Sequence, residues 1–160
     1  MSSVDVRFTV MSYGARKDRA VATLYTAGVS KACSAGSLAT VSESITAPGT
    51  INIVVLIDGN LTEAAMINAI ITATEAKTRA LFQVGIRLPD GAVATGTTTD
   101  AIVIACTGRG KPIPYAGAAT DLGFLVGRTV YRAVTQGIHD YLAATGPEKL
   151  EKPNGGILLN

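Results

Sequence analysis

Histidine is almost missing: His139 is the single one among 160 residues. A serine or cysteine hydrolase of the common kind needs a histidine base beside its nucleophile, and His139 falls with Arg128, Arg132 and Thr135 on the polar side of a predicted helix. A histidine-based zinc centre needs several such ligands and is excluded on the same count. Cysteine is scarce as well. Cys33 and Cys106 lie far apart in no metal-binding spacing, and read as reduced thiols of a cytosolic protein, with Cys33 the more reactive of the two. Tryptophan is absent and aromatics are 5% of the chain, which leaves no stacking platform for single-stranded nucleic acid. Charge is thin, at 16%, with a net +2 that is scattered rather than clustered. Arg16, Lys17 and Arg19 come nearest to a basic patch and Asp18 interrupts them, so no nucleic-acid partner is expected. The longest apolar run, Ile53 to Ile57, is far too short for a bilayer. MSSVDVRFTV at the start has no basic region followed by an apolar stretch, so a cytoplasmic protein without membrane association is expected. GRGKPIP has a Gly-Lys pair but proline where a phosphate-binding loop needs serine or threonine.

Apolar residues, by contrast, make up 48% of the chain. A domain of this length hides roughly 70% of the surface its unfolded chain exposes, and needs no disulfide or metal to hold a core. A surface this poor in charge points to a homo-oligomer. One domain is expected over 1–146, followed by a tail over 147–160.

Val4 to Met11 alternates moderately and predicts a strand, then a polar turn over Ser12 to Arg19, then a second strand over Ala20 to Ala27 forming a hairpin with the first. Gly28 to Gly49 is a long small-residue loop of the kind that is often functional. Thr50 to Ile57 is β-branched and apolar almost throughout and predicts a strand buried on both faces. Asn60 with Glu63 three residues on predicts a helix start, and Gly85 a helix end. Between them, Met66, Ile70, Ala73, Lys77, Leu81 and Val84 form the predicted buried stripe, opposite Asn68, Thr72, Glu75, Arg79 and Gln83. Asp100 to Cys106 predicts a second buried strand. A second helix is predicted from about Leu122 to Thr145, its apolar face carrying Val126, Val130, Val134, Ile138 and Tyr141, with Gly123, Gly127 and Gly137 permitting close approach. The element order predicts an α+β, two-layer fold: a mixed or antiparallel sheet with two long helices packed on one face.

Three features bear on chemistry. Lys77 stands within an apolar stripe, where it either snorkels to solvent or carries its ammonium into a pocket to polarise a carbonyl. Asp100 opens an apolar strand directly after Thr97-Thr98-Thr99, a placement that suits a strand end or the orientation of a water. Glu75 lies across the helix from Lys77, where pairing with Arg79 one turn on is the simple reading.

TAGVSKA (Thr26–Ala32), GTINIVVLI (Gly49–Ile57), LTEAAMINAIITATEAKTRAL (Leu61–Leu81), ATGTTTDAI (Ala94–Ile102) and YAGAATDLGFLVGRTVY (Tyr115–Tyr131) resemble the adenosylcobinamide amidohydrolase family of archaea and some bacteria. The resemblance implies hydrolysis of the amide joining the aminopropanol arm to the corrin ring, with adenosylcobyric acid released for corrinoid salvage. It implies a corrinoid small-molecule substrate; with no ligand set for a metal in the sequence, hydrolysis without a metal or further cofactor is expected. The motif residues it marks are Thr26, Gly28, Asn52, Thr74, Glu75, Lys77, Thr95, Thr97, Asp100 and Tyr115. Lys31 stands where a small polar residue is expected. The resemblance brings Glu75 back as a candidate, given a helix distortion near Thr74 or a site shared between subunits.

The expected mechanism has Asp100 or Glu75 as general base on water, with Lys77 and threonine or backbone donors stabilising the oxyanion. Thr26, Gly28, Asn52, Thr74, Thr95, Thr97 and Tyr115 are the expected substrate contacts, around an apolar cleft near the Gly28–Gly49 loop. The alternative is a corrinoid-binding protein without turnover. A threonine-nucleophile hydrolase is a third reading, which requires a self-cleaved N-terminus.

Overall fold

A computed structural model describes residues 6, 9–37 and 49–145. In chain order its elements are β1 (Val10–Arg16), β2 (Arg19–Ala27), β3 (Ala32–Cys33), β4 (Ile51–Asp58), β5 (Asn60–Leu61), α1 (Glu63–Val84), β6 (Gly96–Thr97), β7 (Ala101–Cys106), β8 (Pro112–Ile113) and α2 (Asp121–Thr145). The main sheet has the order β1-β2-β4-β7, antiparallel except for the β4–β7 pair. It is a mixed sheet with both long helices on one face, an α+β fold as expected. Residues 38–48 and 146–160 lie outside the described ones, as do 4, 5, 7 and 8 of the expected first strand, so the expected tail and the middle of the long loop are not described.

The hairpin turn is shorter than the expected Ser12–Arg19. Ser12 to Arg16 continue β1, and the turn is only Lys17-Asp18, closed by the Arg16–Arg19 pair. Lys17 takes the left-handed conformation, with φ 54°, that a two-residue hairpin loop demands. Arg16 and Lys17 then reach α2 and bond the two carboxylate oxygens of Asp121, at 2.8 and 2.5 Å.

The core lies between sheet and helices. Val21, Thr23, Tyr25 and Ala27 of β2 and Ile51, Ile53, Val55 and Ile57 of β4 point into it. The alternate residues of β4 do not: Leu56 and Asp58 are exposed. Neither β4 nor β7 is buried on both faces, because both helices pack on one side and β7 is an edge strand. A continuous apolar run cannot distinguish a strand covered twice from one covered once.

The first helix begins two residues later than its sequence signal. Thr62, not Asn60, is the N-cap, accepting a hydrogen bond from the Ala65 amide at 3.2 Å, while Asn60 belongs to β5. Gly85 ends the helix at φ 85°, as expected. The buried face is rotated toward alanine: Ala65, Ala69, Thr72, Ala73, Ala76, Lys77, Ala80 and Leu81 face inward, and Ile67, Ile70 and Ile71 are exposed. Small side chains let α1 come close to α2, an effect that side-chain hydrophobicity alone does not register. On α2 the expected face is the observed one, and Val126, Val130, Val134 and Ile138 are all buried. A Cβ on Gly137 would lie 2.4 Å from the Tyr25 ring, so glycine there lets the helix seat on β2.

Candidate functional site

The first helix carries Lys77 on its sheet-facing side, 6% exposed. Its ammonium is bonded to the Oδ2 atom of Asp100, whose side chain is 14% exposed. The other carboxylate oxygen accepts the backbone N–H of Thr97 at 3.0 Å and the Thr97 hydroxyl. Both oxygens of the carboxylate are therefore engaged, which is the condition for a buried charge pair to persist.

Gly96 makes room for this arrangement. A Cβ there would fall 2.4 Å from Asp100 Oδ2 and 2.8 Å from Lys77 Nζ. The segment is held on all sides. The Thr78 hydroxyl of α1 donates to the Thr95 carbonyl at 3.3 Å, and the Thr95 amide donates to the Cys33 carbonyl at 2.9 Å. The Thr95 hydroxyl accepts from the Ala35 amide at 2.8 Å. The Thr98 amide donates to the Lys31 carbonyl at 3.2 Å. Thr50 and Thr99 bond through their hydroxyls at 2.9 Å, and Thr50 also donates to the Thr99 carbonyl at 2.7 Å.

Two side chains outside the expected site feel the charge of this pair. β3 pairs with β6 so that Cys33 stands directly opposite Gly96. Directly paired residues point to the same side of a ladder, so the Cys33 thiol faces the side where Gly96 admits the ion pair. Burial pushes the thiol's pKa up, the Asp100 charge adds to that, and Lys77 partly offsets it. Tyr25 of β2 is fully buried on the core side of the main sheet, and its hydroxyl has no hydrogen-bond partner among the described residues. Burial raises its pKa strongly, with the Asp100 charge second.

The remaining expected site residues are distributed elsewhere. Thr26 and Asn52 bond one another at 3.1 Å across β2 and β4, on the sheet face away from the helices. Gly28 is buried and donates its amide to the Thr50 carbonyl at 2.9 Å. Thr74 is exposed and returns its hydroxyl to the Ile70 carbonyl at 2.8 Å. Tyr115 is exposed in the loop before α2. Glu75 is exposed on the far side of an unbroken α1, so no distortion near Thr74 brings it to Lys77. It lines a groove of about 360 Å3 between the helices with Arg79, Phe124, Arg128 and Tyr131. The expected pairing with Arg79 is not made, since that guanidinium lies 4.7 Å above the Tyr131 ring. A second hollow, of about 350 Å3, opens on the bare sheet face around Tyr13, Ala22, Leu56 and Ala105. Neither groove is lined by Lys77 or Asp100, over which β3 and its neighbours fold. His139 is exposed on α2. Among the described residues no three His, Cys, Asp or Glu side chains group as metal ligands, and no helix is long and apolar enough to cross a membrane.

The sequence matches the adenosylcobinamide amidohydrolase family over residues 1–146. The chain belongs to this family. An adenosylcobinamide amidohydrolase of Methanosarcina mazei is 37% identical over 99 residues, 56% of this chain and 46% of that protein. One from Halobacterium salinarum is 35% identical over 109 residues, 68% of this chain and 44% of that protein. An uncharacterised protein of Methanocaldococcus jannaschii is 41% identical over 92 residues, 56% of this chain and 36% of that protein. The matched stretch thus spans less than half the length of each of these relatives. No solved structure matches the chain.

Proposed function

We propose that this chain hydrolyses the amide joining the aminopropanol arm to the corrin ring of adenosylcobinamide, giving adenosylcobyric acid in cytoplasmic corrinoid salvage. The observation that carries the reading is the buried Lys77–Asp100 pair on Thr97, in a chain of the amidohydrolase family. Asp100 is the base. It takes a proton from water as the water oxygen attacks the amide carbon. The developing oxyanion is met by the Lys77 ammonium, released from its ion pair as Asp100 takes the proton, while the Thr97 donors hold the carboxyl group in place. Collapse breaks the C–N bond, and the proton held by Asp100 passes to the departing nitrogen. The products are a carboxylic acid and an amine. No cofactor takes part, and the corrinoid is the substrate. Glu75 has no place in this scheme, because it faces the other side of α1.

Incubation of the protein with adenosylcobinamide, with products read by mass, tests the reading. Appearance of adenosylcobyric acid supports it, and an unchanged corrinoid across the pH range refutes it. The alternative, corrinoid binding without cleavage, predicts a different outcome of the same experiment. Tight binding of a corrinoid whose mass stays unchanged supports that reading.

A further inference from the structure

Among the described residues no layer covers one face of the main sheet, and that face is apolar. Met11 and Tyr13 of β1, Leu56 of β4 and Val103 of β7 are 68%, 62%, 42% and 50% exposed there. The strand register arranges the face in rows. One row runs Tyr13, Ala22, Leu56, Ala105 across the four strands; the next runs Met11, Leu24, Val54, Val103. The first row alternates large and small, and the 350 Å3 hollow lies between its large members. Among the described residues the only charge on the face is Asp58, at one end, where Thr107 donates to it at 2.8 Å. At the other end Thr26 and Asn52 already bond one another, which lowers the cost of covering them.

We infer that this face is the interface of a homodimer in which two sheets pack face to face about a two-fold axis parallel to the strands and passing between β2 and β4. Such an axis keeps each row at its own height and reverses its order. Tyr13 then lies over the partner subunit's Ala105, and Leu56 over the partner subunit's Ala22. Every large side chain of the row meets a small one, and the mirrored contacts complete the set, as an isologous interface requires. Met11 meets the partner subunit's Val103, and Leu24 the partner subunit's Val54. Sheets packed this way sit about 10 Å apart, with interdigitated inner faces. A face without like charges at its centre meets its own copy at no electrostatic cost.

The size of the face sets the class of interface it can form. Four strands about 4.8 Å apart and four rows about 6.7 Å apart give a flat footprint of roughly 400–500 Å2 before side-chain relief is counted. A standard interface takes about 800 Å2 from each partner. A face below that size has the dimensions of a weak, transient dimer, one that dissociates on dilution.

Sedimentation velocity over a concentration series tests this inference without reference to catalysis. The wild-type chain goes from monomer to dimer with concentration. Leu56→Lys and, separately, Val103→Lys weaken dimerisation by more than about tenfold while keeping the far-ultraviolet spectrum and the thermal midpoint of a folded monomer. Ala22→Leu and Leu56→Ala each weaken the dimer alone, and the double variant, which swaps the large and small positions of the row, restores it. A wild-type chain that stays monomeric at hundreds of micromolar overturns the inference, whether or not the bare face then binds a corrinoid or a lipid vesicle. So does a dimer indifferent to both lysine substitutions, or a double swap no better than either single change. Loss of corrinoid cleavage with an intact dimer counts against the proposed function and leaves the interface standing.

Discussion

Lys77 and Asp100, 23 residues apart in the chain, close on one another beneath the β3–β6 ladder, and each removes the other's isolation. Taking one charge out of a buried pair leaves the other uncompensated, at about 3 kcal/mol or more. Lys77→Met is expected to lower the thermal midpoint by roughly 6–12 °C, at about 2–4 °C per kcal/mol for a domain of this size. Lys77→Met with Asp100→Asn recovers part of that loss, because no charge is then stranded. Melting curves of the two singles and the double check the coupling. Equal and additive losses would mean that the two residues are not paired in solution.

Gly96 is the second point of leverage. Its α-carbon faces the ion pair so closely that a methyl group would stand 2.4 Å from Asp100 Oδ2. Gly96→Ala is expected to displace the carboxylate and to cost about 1–3 kcal/mol, as forced overpacking does. The thermal midpoint reads the cost. An unperturbed midpoint with unperturbed activity would place the pair elsewhere.

Cys33 reports on the pair from outside. Its thiol is held protonated by burial first and by the Asp100 charge second, with Lys77 acting the other way. Alkylation by iodoacetamide at pH 7 is therefore expected to be slower at Cys33 than at a free cysteine, since the thiolate is the reactive form. Asp100→Asn speeds it and Lys77→Met slows it. Peptide-resolved labelling rates measure this, and rates insensitive to both substitutions would separate Cys33 from the pair.

Tyr25 gives a pH signature. Its phenol is held neutral by burial, so its pKa in the folded chain lies above the unfolded value of about 10. The stabilisation is complete below pH 10 and is lost as the pH rises above it, by up to about 1.4 kcal/mol per pH unit, because only the unfolded chain releases the proton. Tyr25→Phe is expected to flatten that alkaline slope. Near pH 7 the same change leaves stability equal or slightly higher, since it removes a buried hydroxyl that has no partner among the described residues. Denaturant melts between pH 7 and 11 test both halves.

Local signals carried much of the fold. The β4 run, the Gly85 stop and the valine face of α2 are where periodicity and end chemistry put them. The errors share one cause, which is that neighbours in space outweigh neighbours in sequence. The alanine side of α1 is buried because α2 comes close to it, and the isoleucines that weight the wheel are left outside. The capping pattern at Asn60 is real as a sequence but is overridden by the β5–β8 pairing, which holds Asn60 in a strand. Lys77 and Asp100 could be singled out as charges in apolar elements. Their pairing could not, because the Gly96 gap and the Thr97 donors come from a turn whose shape depends on β3. Glu75 shows the reverse: helix geometry placed it on the far side, and the structure keeps it there.

The most direct measurement is conversion of adenosylcobinamide by the wild-type chain beside Asp100→Asn, with corrinoid products separated and weighed. Asp100→Asn keeps the size of the side chain and removes the base, so the account predicts adenosylcobyric acid and aminopropanol from the wild type and a rate at least about 100-fold lower from the variant. Wild-type protein that leaves the substrate intact, or an asparagine variant that matches it, would contradict the account.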